Sequence, residues 1–282
     1  MRSLIKRAVL FLIMTGSLLS LPAVPVRAGV ISVQTELAPS YDGKTFRLQA
    51  TVINRGDDPA HEVSVTAELA GTKAHSSEVA FLGPNESQFF ELAQDLPVPN
   101  HGEYPVVVTV NYSDANRYPF SAISIAPVAY GDSQPSRVAA ALSNLEISDG
   151  NGHLKLSTRN SGGQAQEITA RLITPRELAA SGFVGRVTLD GGAAEDFRIP
   201  IANVSANPGS SYQVYALVEY DEGGLHHSTV ANAYVNVILD PGFLKSHKVL
   251  LISLCVMVGL GFLYTNIRFL FRQGRQNAPL ES

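Results

Sequence analysis

From Thr45 onward the chain falls into short stretches of β-branched and aromatic residues, partly alternating with polar ones, between clusters of glycine, asparagine, aspartate and proline. Phe46–Ile53, Val63–Leu69, Val106–Tyr112, Gln213–Tyr220 and Ala233–Ile238 are the clearest of these stretches. A period of two sends successive side chains to opposite faces of a pleated strand, so one face can be buried while the other is solvated. Asp42-Gly43, Gly83-Pro84-Asn85, Asp149-Gly150-Asn151-Gly152, Asn207-Pro208-Gly209 and Glu222-Gly223-Gly224 supply turn residues between them. Many short strands with frequent turns predict an all-β sandwich architecture. One segment departs from this pattern. Thr174 to Gly182 carries a capping threonine, proline at the first helical position, an early glutamate and a terminal glycine, and predicts one short helix.

The strand pattern repeats. Asn54-Arg55-Gly56 leads through Ala60 into Val63-Ser64-Val65, and Asn160-Ser161-Gly162 leads through Ala165 into Ile168-Thr169-Ala170. Later, Gly102-Glu103-Tyr104 opens a strand that closes at Tyr112, and Gly209 to Tyr212 opens one that closes at Tyr220. The order is the same in both copies, which predicts two domains, 29–127 and 138–239. The Asn-x-Gly element is read as a turn whose residues tolerate positive φ. Between the copies, 128–137 has the proline, glycine and serine content of a linker.

The two ends carry a different pattern. Arg2, Lys6 and Arg7 precede an apolar run from Ala8 to Leu21, and Val26 and Ala28 suit the positions before a cleavage site. Residues 1–28 thus read as a secretory signal peptide, with the mature chain starting at Gly29. From Val249 to Ile267 there is no charged residue, and Arg268, Arg272 and Arg275 follow at once. As a helix this run is about 28 Å long, close to the hydrocarbon thickness of a bilayer. Positive residues stay inside, so 249–267 is expected to be a transmembrane helix, 268–282 a cytoplasmic tail, and everything before it outside. The expected location is the cytoplasmic membrane, single-pass.

Charge and side-chain chemistry narrow the functional classes. From Gly29 to His247 there are 24 Asp and Glu against 13 Lys and Arg, a formal charge of −11, which disfavours nucleic acid as a partner. The one cysteine, Cys255, falls in the apolar segment, so the outer part relies on its core and not on disulfides. His61, His75, His101, His153, His226 and His227 fall in or near turns and His247 beside the apolar segment. They read as solvated, without the i, i+4 spacing or cysteines of a zinc site. Asp57-Asp58, Asp221-Glu222 and Asp149 to Gly152 do not complete a calcium loop. No nucleophile, base and orienting group can be named together. No metal, no cofactor and no catalytic residue are therefore expected. Asn85, Asn111 and Asn203 sit in glycosylation sequons.

A tyrosine opening a late strand just after a glycine-bearing turn, as at Tyr104 and Tyr212, resembles the tyrosine corner of immunoglobulin-like domains. The stretch TVINRGDDPAHEVSVTAEL (Thr51–Leu69), with the later GEYPVVVTVNY (Gly102–Tyr112), resembles the CARDB and NEW3 group of prokaryotic immunoglobulin-like modules. The resemblance covers about one hundred residues in each half and is better in the first. It implies two tandem immunoglobulin-like β-sandwich domains and, since members are usually adhesion, scaffold or ancillary binding modules, a role in binding. The expectation is a non-catalytic, membrane-anchored interaction protein, an accessory or scaffold of an envelope complex with a membrane or envelope protein as partner. The alternative is a ligand-binding module, for glycan, or an adhesion module on the cell surface.

Overall fold

A computed structural model describes residues 29–148, 150–180, 184–238 and 247–276. The expected signal peptide, 1–28, lies outside the described residues. Among the described residues, seventeen strands and one helix follow in chain order. The first group is β1 (Val33–Tyr41), β2 (Thr45–Asn54), β3 (Ala60–Leu69), β4 (Thr72–His75), β5 (Val79–Leu82), β6 (Ser87–Asp95), β7 (His101–Ser113) and β8 (Pro119–Tyr130). The second is β9 (Val138–Leu142), β10 (Leu145–Ile147), β11 (Asn151–Asn160), β12 (Gln166–Ile173), β13 (Leu178–Ala180), β14 (Val184–Leu189), β15 (Ala194–Asn203), β16 (Ser211–Glu222) and β17 (Leu225–Val237). Helix α1 (Lys248–Gln276) closes the series.

Each group folds as two facing sheets. In the first, β1-β2-β6 lies against β8-β7-β3, with β4 and β5 pairing onto β3. In the second, β9-β11-β15-β13 lies against β10-β17-β16-β12-β14. The alternation along β2 shows why. Phe46, Leu48, Ala50 and Val52 are fully buried while Arg47 and Gln49 between them are exposed. One apolar core runs from Phe46 to Val128 and a separate one from Val138 to Val237. This is the all-β sandwich architecture that the alternation predicts.

The two sandwiches are not spaced like beads on a string. Strand β17 pairs in parallel with β7 at Leu225–His101 and His226–Gly102, which joins one sheet of each sandwich into a ten-stranded sheet. Strand β7 is consequently covered on both faces. Val106, Val108 and Val110 point into their own core, whereas Val107 packs with Ile123 and with Leu217 of the second sandwich in a third cluster. Burying side chains of this size stabilises by about 1.5–3 kcal/mol each. The segment 128–137, expected as a linker, begins inside β8: Val128 is buried in the first core, and the Tyr130 ring meets those of Tyr41 and His101.

The short helix expected over 174–182 is replaced by a turn and by β13, whose Leu178–Ala180 pair with Ile201–Asn203; 181 and 182 lie outside the described residues. Local capping signals lose here because Leu178 is buried in the second core and the Glu177 side chain is claimed by the first sandwich. At the C-terminus, α1 exposes apolar side chains such as Val249, Val256, Met257, Val258, Leu260 and Phe262. Counted over the described residues, no helix is long and apolar enough to cross a membrane. The expected transmembrane span 249–267 is therefore not supported by the described residues.

Candidate functional site

Two structural marks of the repeat set the frame on which any site is built. Asn54 is fully buried. Its Nδ2 donates to the carbonyls of Asp58 (2.7 Å) and Leu82 (3.2 Å), and its Oδ1 accepts from Gly56 N–H (3.0 Å). Asn160 does the same with the carbonyls of Gln164 (2.8 Å), Leu189 (3.0 Å) and Asp190 (3.2 Å) and with Gly162 N–H (2.9 Å). The expected positive φ is absent from all six residues of the two Asn-x-Gly elements. The asparagine is there to satisfy backbone groups that burial would otherwise strand. Gly56 is there because a Cβ would overlap the Val30 carbonyl oxygen.

The tyrosines mark the second correspondence. Tyr104 donates its hydroxyl to the Asn100 carbonyl at 2.8 Å, and the Tyr212 hydroxyl accepts from Asn207 N–H at 2.9 Å. Each hydroxyl ties the strand start to backbone four or five residues upstream, at equivalent places in the two sandwiches. Tyr104 is buried and Tyr212 only partly so.

The junction between the sandwiches holds buried polar groups of its own, Ser121 and Glu177 among them. His226 and His227, expected as solvated, are instead packed, His226 at this junction and His227 on Tyr220 of the second core. As adjacent strand positions they face opposite ways: His226 stacks on Tyr104 with ring centres 4.1 Å apart, and His227 on Tyr220 at 4.9 Å. His226 Nδ1 lies 2.9 Å from Asp221 Oδ1, and Nε2 lies 3.4 Å from Glu219 Oε1, near enough to pair but not aligned as a hydrogen bond. Burial works against the charged ring, yet the two carboxylates outweigh it and raise the His226 pKa above its ordinary value. Gly102 has φ +143, and a Cβ there would overlap the His226 backbone. Nearby, Arg171 bridges the sandwiches, bonding Glu68 of the first at 2.6 Å and lying 3.7 Å from Glu219 of its own.

Glu177, read from sequence as an early helical residue, is one of the most deeply buried side chains of the molecule. Its carboxylate reaches across the junction to accept from Ser121 N–H at 3.0 Å, and desolvation raises its pKa. Tyr215 donates its hydroxyl to the Ile123 carbonyl at 3.3 Å. Together these two side chains occupy backbone groups on the side of β8 that no strand pairs.

Beyond this contact the sandwiches part. Strands β7 and β17 start together at His101 and Leu225, and late in each of them Tyr112 and Tyr234 line a cleft of about 1090 Å³. Phe120, Tyr212 and the segment from Gly29 to Thr35 are among its other walls. Tyr112 stacks on Phe120 with ring centres 5.7 Å apart, and burial, with the Glu177 carboxylate adding to it, raises the Tyr112 pKa. The charged side chains along the cleft are Asp58, Asp114 and Glu177, all acidic.

The other residues singled out from sequence are dispersed. His75, His101, His153 and His247 are exposed, and His61 is half-buried beside Phe81. Among the described residues, no three His, Cys, Asp or Glu side chains group closely enough to hold a metal ion. Asp149 lies outside the described residues. Asn85 is an exposed turn residue with φ 60, Asn111 lies in β7, and Asn203 ends β15.

No protein-family profile matches the chain, and no curated protein matches it. Among solved structures, Escherichia coli α2-macroglobulin in its native conformation is similar over 73% of this chain and 17% of its own length, at 12% identity and TM-score 0.29. The YadV chaperone is similar over 71% of this chain and 98% of its own, at 12% identity and TM-score 0.31. Red sea bream transglutaminase is similar over 76% and 32%, at 9% identity and TM-score 0.28. Likeness at this level carries no activity or partner across to this chain.

Proposed function

We propose that the chain is a non-catalytic interaction protein, held at the cytoplasmic membrane by α1, with its two sandwiches outside as an accessory or scaffold of an envelope complex. The observation that carries this reading is α1. Val256, Met257 and Val258 are consecutive, so they point about 100° apart around the helix, and all three are exposed. A helix apolar all round suits an apolar surrounding and not water. Arg268, Arg272 and Arg275 at its far end agree with a cytoplasmic tail, and the signal-like segment 1–28 agrees with export. The immunoglobulin-like character of both sandwiches, carried by the asparagine clamps and tyrosine corners, suits a role in binding. Glu177 and His226, whose pKa values are raised at the junction, are engaged in holding the sandwiches together.

Only positions 238–247 separate β17 from α1, so the second sandwich stays near the bilayer. A short tether raises the effective concentration of a weak contact, often into the millimolar range. The test compares three chains recovered in mild detergent from cells lacking the native gene: the intact chain, a chain ending at residue 238, and that shorter chain fused to an unrelated single-span anchor. The intact and re-anchored chains should recover the same membrane proteins, and the released one should lose them. Equal recovery with all three would refute the tethered reading. A second reading, glycan binding, is favoured by the Tyr112, Phe120, Tyr212 and Tyr234 rings along the cleft.

A further inference from the structure

Resting on the reading of the chain as an interaction protein, we propose that its partner docks in the cleft between the sandwiches, as an extended segment bearing lysine or arginine that adds to the free edge of β1. Among the described residues, β1 ends its sheet, with β2 on one side and no strand on the other. Arg55 N–H donates to the Ser32 carbonyl, which fixes the phase of the ladder: Ser32 and Gln34 face β2, and the N–H and C=O groups of Val33, Thr35 and Leu37 face away. The chain from Gly29 to Thr35 lines the cleft, so this unpaired edge borders it. Pro39 falls in the same outward phase and has no N–H, so pairing stops there. From Ile31 to Leu37 the edge offers roughly 20 Å at about 3.3 Å per residue.

The contrast with β8 identifies this edge as the open one. Glu177 and Tyr215 of the second sandwich occupy the outward groups of Ser121 and Ile123, closing β8. Across the same floor β1 runs close to β8, and the Thr35 hydroxyl lies 2.6 Å from that of Ser124. Among the described residues no backbone pairing joins the two strands, so the outward backbone groups of β1 are left for another chain. An unpaired edge is a template for strand addition, with backbone bonds giving affinity and alternate side chains giving specificity.

The walls state what those side chains are. Among the described residues the charged side chains along the cleft, Asp58, Asp114 and Glu177, are all carboxylates. They outnumber the one positive charge that a mature amino terminus at Gly29 sets beside Asp58, and Tyr112, Phe120, Tyr212 and Tyr234 present rings beside them. Acidic groups with aromatic faces favour an ammonium or guanidinium over an anion.

The experiment uses the full chain held in mild detergent and measures binding of a capped heptapeptide of alternating lysine and valine. Parallel probes are its glutamate-for-lysine analogue, a version N-methylated at every central residue, and the neutral sugar chitohexaose. The lysine peptide should bind, and both altered peptides should bind about tenfold more weakly or worse. Asp58→Asn with Asp114→Asn should bring the lysine and glutamate peptides towards equal affinity, the asparagine at 114 keeping its turn bonds to the N–H groups of Asn116 and Tyr118. Thr35→Pro should weaken the lysine peptide about tenfold by removing an outward N–H, and if that variant melts early the N-methylated probe carries the same test. Equal binding of the N-methylated peptide, equal binding of the glutamate peptide, or binding of chitohexaose with none of the peptides would each overturn the proposal. Because the protein stays in detergent, a failure of membrane anchoring leaves these results unchanged, and a failure of peptide binding leaves the anchoring reading standing.

Discussion

The two sandwiches share a plan and differ in what their neighbour covers. Both carry a buried asparagine clamp and a tyrosine corner at matching places. In the first, the corner tyrosine is sealed by the His226 ring of the second; in the second, Tyr212 has no such cover and borders the cleft. Their opening strands differ too. Strand β1 stays in one sheet for its whole length, whereas in the second sandwich β9 pairs with β11 and β10 crosses to pair in parallel with β17. By crossing, β10 takes an edge of its sheet, while β1 leaves the far side of β8 to be closed by side chains of the other sandwich. A repeated blueprint thus yields one closed domain edge and one open cleft, because only one side of each sandwich meets the other.

The largest expected effect tests that asymmetry. Tyr104→Ala should cost about 4 kcal/mol, as for a buried aromatic truncated to alanine, whereas Tyr212→Ala should cost about 2 kcal/mol in keeping with its partial burial. Chemical denaturation of each variant measures both, and equal losses would break the comparison. The asparagines test the shared plan instead. Asn54→Ala and Asn160→Ala should each cost about 3 kcal/mol, since each leaves buried carbonyls and a glycine N–H without partners. A loss confined to one of them would mean that the two clamps are not equivalent.

Smaller effects sharpen the description of the junction. Arg171→Ala should cost about 1 kcal/mol, because the pair with Glu68 is only partly buried and Lys73 also approaches Glu68 at 3.7 Å. Asn-to-Ala and Arg171→Ala changes should add independently, which a double variant checks. The pH dependence has a fixed sign. His226 is raised above 6.5 and Glu177 above 4.5 in the folded chain. Each contributes stability that is full below its unfolded pKa and is lost as pH rises through its folded pKa. The junction should therefore weaken as pH climbs, and His226→Gln should flatten the part of the curve beginning near 6.5. Stability that instead rises across that window would contradict the pairing of His226 with Glu219 and Asp221.

Much of the fold was legible because alternation reports one-sided burial directly, as along Phe46 to Val52. The repeat was legible for the same reason: Asn54 and Asn160, Tyr104 and Tyr212 occupy fixed points of one plan. The physical role of the asparagine was not, since a sequence shows a residue able to adopt positive φ but not the carbonyls it will meet. The helix expected from Thr174 onward failed because caps act locally while Glu177 and Leu178 are held by distant residues. The junction left a readable trace. Residues 104 to 108 are buried without alternation, and an unbroken apolar run is the mark of a strand covered on both faces. The same signal in Ala216-Leu217-Val218 points to the partner strand. The cleft left no such trace, because it is made by positions far apart in the chain, such as Thr35, Tyr112 and Tyr212.

The most direct test of the account concerns where the sandwiches stand and what holds them. Spheroplasts carrying the intact chain, tagged after residue 282, are treated with protease and their membranes then washed in alkaline carbonate. The account predicts that the sandwiches are digested from outside, that the tag survives, and that the fragment containing α1 stays with the membrane pellet. Sandwiches that resist digestion until the membrane is broken, or a chain that the carbonate wash releases, would contradict it.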